Sequence, residues 1–130
     1  NGVRSFSKVL IAVRPGRRNK RFIDVADKIC RHFGASLTLL NIVSESDNNQ
    51  KIKRTEKNSI ELISETKSKS AVKIIKSNNP VEAISEESAS YDLLILGTPE
   101  KDNWIRVLFG SGEDRFVKKA ACSVLRLTIK

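Results

Sequence analysis

Residues 8–13 read Lys8-Val9-Leu10-Ile11-Ala12-Val13, and Arg14-Pro15-Gly16 breaks the run. From Asn19 to Phe33 the apolar residues return at a different spacing, at Phe22, Ile23, Ala26, Ile29, Cys30 and Phe33, and Gly34 follows. A short continuous run rich in β-branched residues suits a strand buried on both faces. Apolar positions three and four apart suit one face of a helix, and a glycine just past the last of them suits its C-terminal stop. Residues 36–43, SLTLLNIV, then read as a second buried strand. Strand, helix and strand in that order predict two parallel strands joined by a right-handed crossover.

The same alternation continues along the chain. Residues 44–50 are polar, with Asp47-Asn48-Asn49 as a turn signal at their centre. Residues 52–68 carry a thin apolar stripe, Ile52, Ile60, Leu62 and Ile63, and predict a weaker amphipathic helix. Residues 71–76, AVKIIK, predict a third strand. Asn79-Pro80-Val81-Glu82 is a helix start, with Asn as N-cap, Pro at the first position and Glu at the third, and Val81, Ile84 and Ala89 give that helix its apolar positions. Residues 92–96, DLLIL, predict a fourth strand stopped by Gly97. A loop to about residue 109, a last helix carrying Phe116, Val117 and Ala120, and a final strand over residues 123–129 complete the order. This predicts a single α/β domain over residues 1–130: a five-stranded, open, mainly parallel sheet, doubly wound, with helices on both faces.

Composition narrows the class. An apolar fraction of 39% and a charged fraction of 30% are ordinary for a globular domain. Cys30 and Cys122 lie far apart with no metal-ligand spacing around them, which argues against a zinc site or a disulfide framework and suits a reducing compartment, so a cytoplasmic location is expected. No apolar run approaches a membrane span. The chain opens on Asn1 and contains no methionine, so we expect either a start removed by tagging or processing or a domain excised from a longer protein. The net charge of +9 fits a solvated basic surface, an anionic ligand, nucleic acid or an anionic membrane face, and charge alone does not choose among them.

In an open α/β sheet, ligands bind beyond the carboxyl ends of the strands, where the strand order reverses. Two loops are expected there: residues 14–21 after the first strand and residues 97–112 after the fourth. The second carries Gly97-Thr98-Pro99-Glu100, nine further residues, and then Gly110-Ser111. Glycines let backbone amides approach a polyphosphate without a Cβ in the way, and Gly110-Ser111 would open the last helix, whose N-terminus favours an anion. The plainer reading is that Gly97 ends a strand and Gly110 begins a turn.

This frame, with the KVLIAV and TLLNIV strands before it and Ala121-Cys122-Ser123-Val124-Leu125 after it, resembles the universal stress protein (UspA-like) family over nearly the whole chain. The resemblance implies an adenine-nucleotide alpha-hydrolase-like fold. It also implies an ATP site, with or without Mg²⁺, at Val13, Arg14, Gly97, Glu100, Gly110, Ser111 and Glu113. Several of these positions depart from the family pattern. Glu100 stands where the family has the middle glycine of its loop, Glu113 where a Ser or Thr contacts phosphate, and Arg14 where ATP-binding members carry an Asp. At an effective dielectric of about 20, a misplaced charge at about 4 Å is worth about 4 kcal/mol. Arg14, Arg17, Arg18 and Arg21 either hold an anion beside the first loop or neutralise Glu100 and Glu113 as an internal ion-pair cluster.

The leading expectation is therefore a non-enzymatic regulatory or sensory domain with a degenerate nucleotide loop, appended by family analogy to a membrane transporter of the amino-acid permease or antiporter type. A free-standing ATP-binding stress protein is the second reading. A nucleotide-hydrolysing enzyme is the third, with only Ser111, Asp102 and the two displaced acids as candidate groups. The resemblance also implies a homodimer through residues 124–129, an apolar strand at a sheet edge. Trp104 is expected to cap the pocket or pin its loop, and His32 to lie on the surface. Aromatics make up 5% of the chain, too few for a base-stacking platform, so no specific nucleic-acid partner is expected.

Overall fold

The computed structural model describes residues 7–13, 19–99 and 123–129. In chain order these form β1 (Lys8–Val13), α1 (Asn19–Phe33), β2 (Ser36–Val43), α2 (Asn49–Ile63), β3 (Ser70–Lys76), α3 (Pro80–Ser88), β4 (Leu93–Pro99) and β5 (Ser123–Ile129). The strands make one five-stranded sheet in the order β3-β2-β1-β4-β5, and each neighbouring pair is parallel. The doubly wound α/β sheet expected from the sequence is the observed fold.

The two faces of the sheet hold two apolar layers. Val9, Ile11, Leu37, Leu39, Leu93 and Ile95 face α1 and α2, where they meet Phe22, Ile23, Ala26, Cys30 and Ile63. Leu10, Ala12, Leu40, Leu94 and Leu96 face the other way and meet Ile84 of α3. Alternation along each central strand thus feeds both layers, which is why these strands read as continuous apolar runs.

Polar contacts fix the connections. Gly34, at φ 66°, lets the Ala35 amide turn back to the Cys30 carbonyl at 2.8 Å, and this closes α1. Asp92 Oδ2 accepts from the amides of Ser7 at 2.8 Å and Lys8 at 2.9 Å, pinning the start of β1 to the start of β4. Lys73 on β3 meets Glu87 on α3 at 2.6 Å, and Lys20 on α1 meets Glu65 just past α2 at 3.1 Å.

Three boundaries and one inward-facing position differ from the sequence reading. α2 begins at Asn49, because the Asn48 side chain accepts from the Lys51 amide at 2.8 Å and caps the helix earlier than its first apolar residue. It ends at Ile63 rather than near residue 68, because the Ser64 and Thr66 hydroxyls bond the Glu61 and Ile63 carbonyls of the last turn. Ile60 is 52% exposed rather than part of the buried stripe, and buried Ser59 takes the inward position. β4 runs through Gly97 to Pro99, because β5 continues to pair with it as far as Ile129. β1 has ended at Val13, opposite Gly97, so Pro99 breaks no ladder on that side.

Candidate functional site

The strand order reverses between β1 and β4. From β1 the chain steps to β2 and β3 on one side, and β4 and β5 lie on the other. The last rung of the β1–β4 pair sets Val13 opposite Gly97. Below it lie the rungs Ala12–Leu96 and Ile11–Ile95, whose side chains are all buried. The sheet beneath this switch point is therefore apolar.

α1 stands beside it and begins at Asn19 with no acidic residue in its first turn, and a helix N-terminus favours an anion. Lys20 is occupied by Glu65 at 3.1 Å and Asp24 at 3.6 Å. The hydrogen bond to Glu65, with the charges of both acids, raises the pKa of this ammonium above its ordinary value. Arg21, the next residue, is exposed and forms no ion pair among the described residues. It is the one expected anion-binding arginine that the described structure places, and it lies on the first turn of α1, at the carboxyl end of β1.

The carboxyl ends of β2 and β3 carry a second polar cluster. The Ser44 amide donates to Asp47 Oδ2 at 3.1 Å, and Asn78 Oδ1 accepts from the Ser44 hydroxyl and the Glu45 amide, both at 3.1 Å. Lys51 neutralises Asp47 at 3.2 Å. Asn78 thus fastens the turn after β2 to the turn after β3. The sequence offered a signal for this in the Asn78-Asn79 doublet before Pro80, since asparagine side chains commonly bond neighbouring turn backbone. Only Asn79 had been read as a cap, a role it fills by accepting from the Glu82 amide at 3.2 Å.

A buried pair was not anticipated at all. Asn41 of β2 donates through Nδ2 to Ser59 Oγ of α2, and Ser59 donates onward to the Thr55 carbonyl at 2.8 Å. Both side chains lie within the layer between the sheet and α2. Asn41 in an otherwise apolar strand was the visible clue.

Of the expected site residues, Val13 and Gly97 are register partners on β1 and β4. Arg14, Arg17, Arg18, Glu100, Gly110, Ser111 and Glu113 lie outside the described residues, as do Asp102, Trp104, Cys122 and the last helix. Cys30 is fully buried, and burial together with the nearby Asp27 charge pushes its thiol up to about 11. His32 is exposed and sits edge-on to Phe33 at 4.8 Å. Among the described residues no group of three or more His, Cys, Asp or Glu is placed to hold a metal, and no helix is long and apolar enough to cross a membrane.

A doubly wound sheet with its crevice at the β1–β4 switch point defines a class of ligand-binding α/β domain. Comparison with known families narrows this: the universal stress protein family matches residues 5–127, and the chain belongs to that family. A universal stress protein solved in complex with cAMP is 17% identical, with 96% of this chain and 98% of that one covered and a TM-score of 0.70. The Archaeoglobus fulgidus universal stress protein in complex with dAMP is 16% identical, with 92% and 96% covered and a TM-score of 0.66. The universal stress protein UspA from Lactobacillus plantarum is 19% identical, with 98% and 100% covered and a TM-score of 0.69. At these identities the likeness is one of fold. Comparison with curated protein sequences finds no match.

Proposed function

We propose that this chain is a non-enzymatic regulatory domain that takes a nucleotide in the β1–β4 crevice and passes its occupancy to a larger protein, of membrane-transporter type, on whose cytoplasmic side it works. The observation that carries the reading is the register of Val13 against Gly97, from which the basic loop and the glycine loop both leave. The cAMP and dAMP complexes of similarly folded proteins support a nucleotide as the ligand class. Glu100 and Glu113 disfavour the triphosphate of ATP, which leaves an anion with less charge, or one held nearer the first loop by the basic residues from Arg14 to Arg21. The same register also serves a free-standing ATP-binding stress protein, the second reading. β5 lies at a sheet edge, which suits a homodimer formed through residues 124–129, to be checked by sedimentation.

Thermal unfolding with ATP, ADP, AMP and cyclic nucleotides tests the reading. A ligand at 100 times its Kd adds about 2.7 kcal/mol, several degrees for a domain of this size. The expected result is a shift with a mono- or cyclic nucleotide, reduced in Arg21→Ala. A shift largest with Mg-ATP favours the second reading, and no shift with any nucleotide overturns both. Release of phosphate from ATP above buffer level overturns the non-enzymatic assignment.

A further inference from the structure

The positive charge of this chain is unevenly placed. Residues 49–76, which contain α2 and the edge strand β3, hold eight basic and three acidic residues, a net of +5 of the chain's +9. Residues 77–99, which contain α3, hold four acidic residues and no basic one. α2 and α3 pack on opposite faces of the sheet, so among the described residues the helices on the two faces differ in sign.

On α2 the outward surface is specific. Ser59 and Ile63 point into the core and are buried. Lys53, Lys57 and Ile60 follow one another at i, i+4 and i+7 along one side of the helix, with Arg54 beside them, and the exposed acids Glu56 and Glu61 flank this group of four. All four are exposed, Ile60 at 52%. Neither Lys53, Arg54 nor Lys57 forms an ion pair among the described residues, whereas Lys51 and Lys73 are already neutralised by Asp47 and Glu87.

We propose that this face of α2 docks on an anionic lipid surface. Three cations with no ion-pair partner among the described residues, outnumbering Glu56 and Glu61 beside them, lie about an exposed branched aliphatic side chain and match a headgroup layer, where charge meets phosphate and the apolar group enters the boundary below. A nucleic-acid backbone would use the cations and leave Ile60 in water. Long lysine stems can lie along the apolar boundary with their ammonium groups at the headgroups. The acidic α3 side is repelled by the same surface, so the domain is held in one orientation. This inference goes beyond the nucleotide reading and does not depend on it, since α2 is not part of the β1–β4 crevice.

Co-sedimentation of the 130-residue chain with phosphatidylserine-rich vesicles tests it, with pure phosphatidylcholine vesicles for comparison. Binding to the anionic vesicles alone, falling with salt, is expected. Each basic residue near an anionic leaflet multiplies binding about fivefold, so Lys53→Gln/Lys57→Gln should weaken it about 25-fold. Ala89→Glu/Ser90→Glu lowers net charge equally at the end of α3 and should weaken it far less. Equal losses in the two variants reduce the effect to bulk charge and overturn the proposal. So does failure to bind anionic vesicles, or tighter binding to a short duplex DNA at the same phosphate concentration. Both variants change exposed residues, and unchanged circular dichroism confirms that they are folded.

Discussion

Asp27, midway along α1, accepts a 2.6 Å hydrogen bond at Oδ1 from the hydroxyl of Ser68, 41 residues further along the chain. The same carboxylate accepts from the Ser68 amide at 3.0 Å and the Lys67 amide at 3.2 Å, and Arg31 lies 3.6 Å away. It thereby fastens the α2–β3 connection to α1. Asp27→Ala removes the acceptor and strands two amides, and a charged hydrogen-bond partner of this kind is worth about 1.5–3 kcal/mol. We expect a loss of that order in urea unfolding, with a smaller loss in Asp27→Asn, which keeps one acceptor oxygen.

The same carboxylate sets an acid limit. Burial alone would raise its pKa, but the Ser68 hydroxyl, the two amides and Arg31 together outweigh burial and lower it below the ordinary aspartate value. A group whose folded pKa is depressed contributes fully above its unfolded value, about 3.9, and loses that contribution as pH falls through the folded value. The stability difference between the wild type and Asp27→Asn should therefore be flat from neutral pH to about pH 5 and shrink below it. A difference that stays constant down to the acid transition would show that this carboxylate is not the titrating group.

Cys30 should be chemically silent in the folded protein. Its sulfur is fully buried, contacts the Ser36 carbonyl at 3.8 Å and has its pKa raised to about 11, so almost no thiolate forms at pH 8. In a Cys122→Ser background, a disulfide reagent should leave Cys30 unmodified in buffer and modify it completely in urea. Rapid labelling of the native protein would contradict the packing of α1 on the sheet.

The Asn41–Ser59 pair predicts a non-additive cycle. Ser59→Ala leaves a buried amide without its acceptor and should cost about 1–3 kcal/mol. Asn41→Leu with Ser59→Ala replaces both partners by apolar groups and should recover much of that loss. Equal and additive effects in denaturant unfolding would mean that the two side chains are not coupled.

The architecture was legible because buried parallel strands cannot alternate. Val9 to Ala12 and Leu93 to Leu96 are buried at every position, and α1 announces its inner face by spacing at Phe22, Ile23, Ala26 and Cys30. What could not be read is where side chains compete with the backbone. Asn48 starts α2 before its first apolar residue, while Ser64 and Thr66 stop it after Ile63, and hydroxyl and amide bonds of this kind leave no periodic trace. Ile60 was placed inside because the pattern knows only hydrophobicity. Asn41 reaching across for a hydroxyl is what turns Ser59 inward instead. For the site, the strand–helix order is what brings the ends of β1 and β4 side by side, whereas the Asn78 bridge spans two turns rather than one and leaves no local sequence signal.

The parallel strands all point one way, so the two rims of the sheet are chemically different places. Asp92 holding Ser7 and Lys8, and Asp27 holding Ser68, lie at the rim where strands begin. The Val13–Gly97 crevice opens at the rim where strands end. Substitutions beyond the strand ends of the second rim can therefore change what is recognised, while the anchors of the first continue to hold the domain together. Divergence in what such a domain recognises need not pass through an unstable intermediate, and the low identity among chains that share this fold is the outcome that freedom allows.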